Sequence, residues 1–123
     1  MLSKKTAVIT GAGSGIGKTI ANHLAKHGAK VVVADLNETA ARESADEINA
    51  QNGTSLAVGC DVANEQSVNE MVQKAVSSYG SVDILINNAG LQFISKIEEF
   101  PLEKWNQLIS VMLTGTFLCT KAC

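Results

Sequence analysis

The stretch TGAGSGIGK at residues 10–18 decides how the rest of the sequence is interpreted. It directly follows the apolar run Ala7–Ile9, and helical spacing of apolar residues begins inside it. Gly11, Gly15 and Gly17 form a GxxxGxG pattern, which differs from the GxGxxG fingerprint and from the GxxxxGK[ST] loop. Glycines between a strand and a helix let the backbone approach a pyrophosphate, and the helix N-terminus offers free N–H groups. The stretch therefore predicts an anion-binding turn, with a tight turn that holds no ligand as the alternative.

Short aliphatic runs alternate with helical periodicity along the whole chain. The runs lie at 7–9, 31–34, 56–58 and 84–86 and show little polar alternation, which is typical of strands buried on both faces. The pattern predicts an α/β fold: a Rossmann-like, doubly wound parallel sheet in a three-layer αβα arrangement. The expected strand order is 3-2-1-4, with strands that start near Thr6, Lys30, Thr54 and Val82.

Residues at the ends of the helical stretches indicate where each helix begins and stops. Asn37 and Asn64 are expected as N-caps, and the last helix is expected to start near Pro101. A glycine precedes each following strand and is expected to supply the left-handed residue that ends the helix; these are Gly28, Gly53 and Gly80. In the first helix, a repeat of every four residues predicts an apolar face made of Ile16, Ile20 and Leu24.

Composition and charge exclude several classes of function. The formal net charge of −2, from 10 basic and 12 acidic residues, argues against general binding to nucleic acid or to an anionic membrane. No apolar run reaches the roughly 18 residues of a membrane span, and none near the start suits a signal peptide. Cys60, Cys119 and Cys123 lack CxxC spacing, so we expect reduced thiols in a cytoplasmic protein, without a disulfide or zinc site.

An acidic residue closes the second predicted strand. Asp35 lies 18 positions after Gly17 and no arginine follows it directly. A carboxylate there can accept hydrogen bonds from the ribose hydroxyls of NAD and repels the 2′-phosphate of NADP. Asp35 therefore favours NAD as the cofactor, with a turn residue at the helix dipole as the alternative interpretation.

The chain contains fewer strands than a complete dinucleotide-binding fold. Such folds have about six strands, and the pattern predicts four. Helical spacing also continues to the end of the sequence, at Val111, Leu113, Phe117 and Leu118. We expect residues 1–123 to be a single NAD-binding domain that is incomplete at its C-terminus.

Three motifs together resemble the short-chain dehydrogenase/reductase family. They are TGAGSGIG at 10–17, Cys60-Asp61-Val62 after the third strand, and Asn87-Asn88-Ala89-Gly90 after the fourth. The resemblance implies that Gly11, Gly13, Ser14, Gly15, Ile16 and Gly17 surround the pyrophosphate and ribose. It implies that Asp61 and Val62 face the adenine, that Asn88, Ala89 and Gly90 lie beside the nicotinamide ribose, and that Val111 approaches the cofactor. Asn87 is expected to tie the fourth strand to its neighbours.

A narrower resemblance concerns the substrate. The segments Gly90–Phe93, Ile97–Pro101 and Lys104-Trp105 are similar to family members that interconvert D-3-hydroxybutyrate and acetoacetate. That resemblance implies that Gln92 binds the carboxylate of a small hydroxy or oxo acid, since an amide can donate a hydrogen bond without adding charge. A polar loop residue without a ligand is the alternative for Gln92. A reductase of a 3-oxoacyl thioester or another oxo compound is the alternative activity.

The catalytic residues of the family have no counterpart in this chain. The resemblance implies a Tyr-x-x-x-Lys pair, but Tyr79 is followed four residues later by Asp83. Met112 stands where the family often has an asparagine that holds a water in the proton path. These departures predict that the 123 residues alone are inactive, and they leave a non-catalytic dinucleotide-binding module as a second hypothesis.

A histidine pair and two aromatic residues carry weaker signals. His23 and His27 have the i, i+4 spacing of a metal chelate, but no partner is evident and we interpret them as surface histidines. The resemblance also implies a homotetramer, so Trp105 and Phe117 are interpreted as core or subunit-contact residues.

Overall fold

The computed structural model describes all residues from 1 to 123 and contains one parallel sheet. The strands are β1 (Thr6–Thr10), β2 (Lys30–Asp35), β3 (Thr54–Gly59) and β4 (Ile84–Ile86). The helices are α1 (Gly15–Lys26), α2 (Glu38–Ala50), α3 (Glu65–Tyr79), α4 (Leu102–Ile109) and α5 (Gly115–Ala122). A 3₁₀ turn covers Ile97–Glu99, and a π-helical turn, Ser110–Thr114, joins α4 to α5.

The strand order is β3-β2-β1-β4, which confirms the prediction. Every pairing is parallel, and Val8 in β1 lies between Val32 of β2 and Leu85 of β4. Parallel neighbours require crossover connections, and the helices between successive strands provide them. The carboxyl ends of all four strands therefore open at one edge of the sheet.

Two separate cores cover the two faces of the sheet, as the three-layer prediction requires. Alternation along β2 sends Val31 and Val33 to one face, where they pack against α1 and α2. Val32 and Ala34 point to the other face and pack against α3 and α5. Because both faces are apolar, each strand is a continuous aliphatic run rather than an alternating one.

The helix caps agree with the sequence at most positions and differ at one. The side chains of Asn37 and Asn64 cap α2 and α3 by accepting hydrogen bonds from Ala40 N and Ser67 N. Gly28 and Gly80 adopt positive φ, as predicted. The expectation for Gly53 is wrong, because Asn52 takes the left-handed conformation (φ 67°) one residue earlier. Asparagine tolerates this conformation better than most residues, so the glycine after it is free to pack closely against Ile48.

The predicted apolar face of α1 is only partly correct. Ile20 and Leu24 pack against the core, but Ile16 is 75% exposed. Ile16 lies in the first turn of the helix, where it lines an open cleft and does not pack against the core.

The fourth strand starts later than predicted, at Ile84 instead of Val82, because Asp83 pairs with β1 through its side chain. Asp83 Oδ2 accepts a hydrogen bond from Thr6 N at 2.9 Å, and Asp83 N donates to Thr6 O. The bond from Thr6, the hydroxyl of Ser81 and the charge of Lys5 lower the pKa of the Asp83 carboxyl.

The lowered pKa of Asp83 predicts a pH-dependent contribution to stability. The folded state binds this proton less tightly than the unfolded state, so the contribution is fully present above the ordinary carboxyl pKa of about 4. It is lost as pH falls through the folded pKa. Urea unfolding of wild type and Asp83→Asn from neutral pH to about pH 3 is expected to show a gap that closes in acid. Asp46→Asn, at an exposed position without a hydrogen-bond partner, is the control; a gap that stays constant contradicts the prediction.

None of the helices combines the length and the apolar character that crossing a membrane requires.

Candidate functional site: a cleft at the carboxyl edge of the sheet

A cleft of about 960 Å³ opens at the carboxyl ends of the strands. Its walls are the glycine-rich turn after β1, the ends of β2 and β3, the segment after β4, and the α4–π-turn region. Ligand sites in proteins enclose roughly 300–1,000 Å³, so the cleft suits a ligand at the large end of that range. Open parallel sheets bind ligands at this edge, beside the point where the strand order reverses. In this sheet that point lies between the neighbouring strands β1 and β4.

Two glycines of the turn that lie outside the cleft wall, Gly13 and Gly17, are packed so tightly that they admit no side chain. A Cβ on Gly17 would collide with the Asn88 side chain and lie 2.5 Å from the carbonyl oxygen of Gly11. A Cβ on Gly13 would lie 2.8 Å from Asp35 Oδ2 and 2.9 Å from the Ala40 Cβ. These glycines are therefore required for packing behind the cleft, and neither forms its wall.

Gly15 differs from the others because open space surrounds it. No atom lies within 4 Å of a Cβ built there, and its φ is +58°. The N–H groups of Gly15, Ile16 and Gly17 have no hydrogen-bond partner in the chain, and the Ser14 side chain does not cap the helix. Free N–H groups at a helix N-terminus favour an anion. The first turn of α1 thus fits a phosphate or pyrophosphate group.

The charged side chains that line the cleft are both carboxylates. Asp35 and Asp61 contribute to the wall, whereas no lysine or arginine does. Asp35 Oδ2 accepts from Gly13 N and Oδ1 from Asn37 N, each at 2.9 Å. Asp61 Oδ1 accepts from Ala63 N at 3.0 Å. Carboxylate oxygens have about four lone-pair positions in total, so both side chains can still accept hydrogen bonds from a ligand.

Buried polar groups join the segment after β4 to the end of β1. Thr10 Oγ1 accepts hydrogen bonds from Asn88 N (3.1 Å) and Ala89 N (3.0 Å) and donates to Ile86 O (3.4 Å). The Asn88 amide donates to the carbonyl oxygens of Thr10 and Gly11. Asn87, for which this tying role was expected, instead donates to Thr120 Oγ1 on α5. The Asn88 side chain therefore holds the end of β1 and the segment after β4 together, and residues 88–90 line the cleft.

The cleft includes most of the residues that the sequence singled out. The predicted residues that line it are Gly11, Ser14, Ile16, Asp35, Asp61, Val62, Asn88, Ala89, Gly90 and Val111. Gly13 and Gly17 lie behind the turn, Gly15 lies between two lining residues, and Gln92 is exposed just outside the wall.

Sequence reasoning missed other parts of the wall, notably Thr10, Leu36, Gln107 and Ser110. Leu36 is 76% exposed, and an apolar residue directly after Asp35 is a signal that could have been used. Gln107 and Ser110 carry no such signal, because only the packing of the last helical region brings them to the cleft.

The cysteines and the single tyrosine do not supply a catalytic group to the cleft. Cys60 lines the wall, but burial raises the pKa of its thiol, and burial raises that of Cys119 to about 12. Both thiols are therefore protonated at neutral pH. Tyr79, the last residue of α3, packs against the core, where burial raises its pKa, and it lies outside the cleft wall. No cluster of three metal-binding side chains is present.

A parallel αβα sheet with a glycine-rich turn, free helix N–H groups and an acidic residue at the end of β2 is the arrangement found in dinucleotide-binding folds. Comparison with known proteins places the chain more closely. Residues 5–123 match the family model "short chain dehydrogenase". An uncharacterized oxidoreductase of Thermotoga maritima is 44% identical over the whole chain, which covers 48% of that protein.

Two further comparisons agree with this assignment. The D-beta-hydroxybutyrate dehydrogenase of Cupriavidus necator is 40% identical, with 98% of this chain and 47% of that protein covered. A short-chain dehydrogenase/reductase structure from Mycobacterium marinum superposes with a TM-score of 0.95 at 37% identity, and this chain covers 49% of it. The chain belongs to the short-chain dehydrogenase family and spans about half the length of the curated relatives it matches.

Proposed function

We propose that this chain is the NAD-binding part of an NAD-dependent short-chain dehydrogenase. The observation that carries the choice of NAD is the charge of the cleft, whose wall contains Asp35 and Asp61 and no cationic side chain. The 2′-phosphate of NADP would meet a carboxylate at the end of β2 with no counter-charge in the wall, whereas ribose hydroxyls can donate to it. When bound, the cofactor supplies the hydride acceptor or donor.

The proposed roles of the chain's own residues follow from their positions in the cleft. The N–H groups at 15–17 bind the pyrophosphate, next to Ser14 and Gly11. Asp35 accepts from the adenosine ribose, and Asp61 and Val62 face the adenine. The backbone of 88–90 and the Val111 side chain border the nicotinamide half.

The proposed substrate pair is D-3-hydroxybutyrate and acetoacetate. Gly90 and Leu91 line the cleft and Gln92 follows them directly, so this amide lies at the mouth where a small acid enters beside the nicotinamide. The printed name of the Cupriavidus necator relative supports the same substrate class. Reduction of a 3-oxoacyl thioester is the alternative, and the exposed position of Gln92 leaves space for a longer acyl chain.

The test is NADH formation by the intact protein with NAD⁺ and D-3-hydroxybutyrate. We expect NAD⁺ to be used in preference to NADP⁺, and Gln92→Ala to raise the KM for the acid about tenfold, as for one lost hydrogen bond to a charged group. The same change should leave the Kd for NAD unaltered. Gln73→Ala, at an exposed position on α3, is the matched control. Turnover of a 3-oxoacyl thioester without turnover of the short acid would select the alternative substrate.

Binding of NAD without oxidation of any of these substrates would instead select a non-catalytic dinucleotide-binding module. The absence of a Tyr-x-x-x-Lys pair from residues 1–123 is the observation that favours this second candidate, and we propose that the chain alone binds cofactor without catalysis. In the intact protein, a catalytic pair encoded outside these residues would restore turnover.

We further propose that the intact protein is a cytoplasmic homo-oligomer, with a tetramer as the expected form. The last helical region carries large exposed apolar side chains, including Leu113 (66% exposed) and Phe117 (60% exposed). Light scattering of the intact protein tests this proposal, and a monomeric mass would contradict it.

A further inference from the structure

We propose that Asp35 positions the glycine-rich turn, and therefore acts on the pyrophosphate half of the cleft as well as on the ribose half. This inference deepens the proposed function and rests on it for the identity of the ligand. The geometry that supports it is internal to the chain and does not depend on any ligand.

The first observation is that both carboxylate oxygens of Asp35 already bind backbone N–H groups on two different segments. Oδ2 accepts from Gly13 in the turn after β1, 22 positions away, and Oδ1 accepts from Asn37 in the loop before α2. A single side chain thus connects the end of β2, the turn and the start of the next helix. Hydrogen bonds to an ionised acceptor are about twice as strong as neutral ones.

The second observation is that the turn lies directly against this carboxylate. A Cβ on Gly13 would be 2.8 Å from Asp35 Oδ2, so no side chain or water separates the two. Immediately before it, Ala12 N donates to Ala34 O at 3.0 Å. Two consecutive N–H groups of the turn are therefore bonded to the end of β2.

The third observation concerns the backbone N–H groups that follow Gly13 in the turn. From Gly15 to Gly17 the N–H groups have no partner in the chain and are free for a ligand. Gly13 is the last residue before these free groups whose own N–H is bonded within the chain. Without the Asp35 carboxylate, the Gly13 N–H loses its acceptor, and the turn loses one of its two bonds to the end of β2 just before the free N–H groups.

Asp35 can hold the turn and bind a ligand at the same time, because a carboxylate has about four lone-pair positions and the bonds from Gly13 N and Asn37 N use two of them. The consequence concerns cofactor preference. A neutral residue at position 35 would remove the repulsion of a 2′-phosphate but would also loosen the turn that binds the pyrophosphate. We expect such a change to weaken NAD without a matching gain for NADP.

The test uses the intact protein and two substitutions, Asp35→Asn and Asp46→Asn. The first keeps the size of the side chain but puts an N–H donor where one of two acceptors was. The second is the matched control, since Asp46 is exposed on α2 and lies outside the cleft wall. Amide hydrogen exchange of Gly13, followed by NMR without ligand, is expected to be about tenfold faster in Asp35→Asn, as for one lost charge-assisted bond. It should be unchanged in Asp46→Asn.

A binding measurement with nicotinamide mononucleotide completes the test, because this probe has a phosphate but lacks the adenosine ribose. If Asp35 positions the turn, Asp35→Asn weakens binding of the probe several-fold and Asp46→Asn does not. Unchanged Gly13 exchange, or unchanged binding of the probe in Asp35→Asn, overturns the inference. If wild type binds neither NAD nor the probe, the proposed function fails. The exchange rate of the Gly13 amide still reports separately on whether Asp35 holds the turn.

Discussion

Replacing Thr10 with valine is expected to lower the free energy of unfolding of the intact protein by about 3 kcal/mol, because two buried N–H groups lose their acceptor. Thr10 is 1% exposed, and its Oγ1 accepts from the N–H groups of both Asn88 and Ala89. Valine has nearly the same shape, so the loss isolates the hydroxyl from the effect of a cavity. Urea unfolding monitored by circular dichroism provides the measurement.

Thr10→Ser is the matched control for this prediction. Serine keeps the hydroxyl and removes one methyl group, which costs about 1 kcal/mol in a buried position. A loss in Thr10→Ser as large as that in Thr10→Val would assign the effect to packing and contradict the role of the hydroxyl. In the valine variant we also expect weaker NAD binding, since the segment after β4 is no longer held against the turn.

Gly17→Ala is the second change with a large expected effect, again a loss of about 3 kcal/mol in the free energy of unfolding. Alanine normally stabilises the interior of a helix by up to about 1 kcal/mol relative to glycine, so the sign here is reversed by packing. The added methyl would collide with the Asn88 amide and approach the Gly11 carbonyl. To make room, the turn must move or Asn88 must give up its bonds to Thr10 and Gly11.

Gly15→Ala, two residues earlier, separates packing from ligand binding. The methyl group meets no atom of the protein, so the only cost in stability is that of a left-handed alanine, about 1–2 kcal/mol. Its methyl would enter the open space in front of the free N–H groups. We expect a modest loss of stability with a clear loss of NAD affinity. Equal effects of the Gly15 and Gly17 substitutions on unfolding would contradict this division of roles.

Much of this architecture could be predicted from the sequence because the fold depends on patterns that are local. Aliphatic runs such as Val31–Ala34 and caps such as Asn37 reflect the period and chemistry of single elements, and both were confirmed. The predicted order of the strands followed from the doubly wound pattern, which places strand order 3-2-1-4 in its first half. The cleft itself then had to lie at the carboxyl edge.

Features that depend on contacts between distant segments could not be predicted in the same way. The resemblance assigned the role of tying β4 to its neighbours to Asn87, but the packing of β4 against β1 makes Asn88 the residue that bonds to Thr10 and Gly11. The four-residue spacing predicted a buried Ile16, but this spacing carries no information about where the helix passes from the core to the open cleft. The left-handed residue before β3 could be either Asn52 or Gly53 on chemical grounds, and the close approach of Gly53 to Ile48 decides between them.

The bonds between β1 and the segment after β4 have a consequence for how the protein resists unfolding. They join residues 76 to 79 positions apart, whereas β1 and β2 follow each other directly in the chain. The strand β4 pairs with β1 over only three residues, so we expect the segment at 88–90 that follows it to open locally whenever the bonds to Thr10 break. A ligand that touches both the turn and this segment would act as a removable cross-link between them. Under the proposed function, bound cofactor is therefore expected to slow proteolysis of this region.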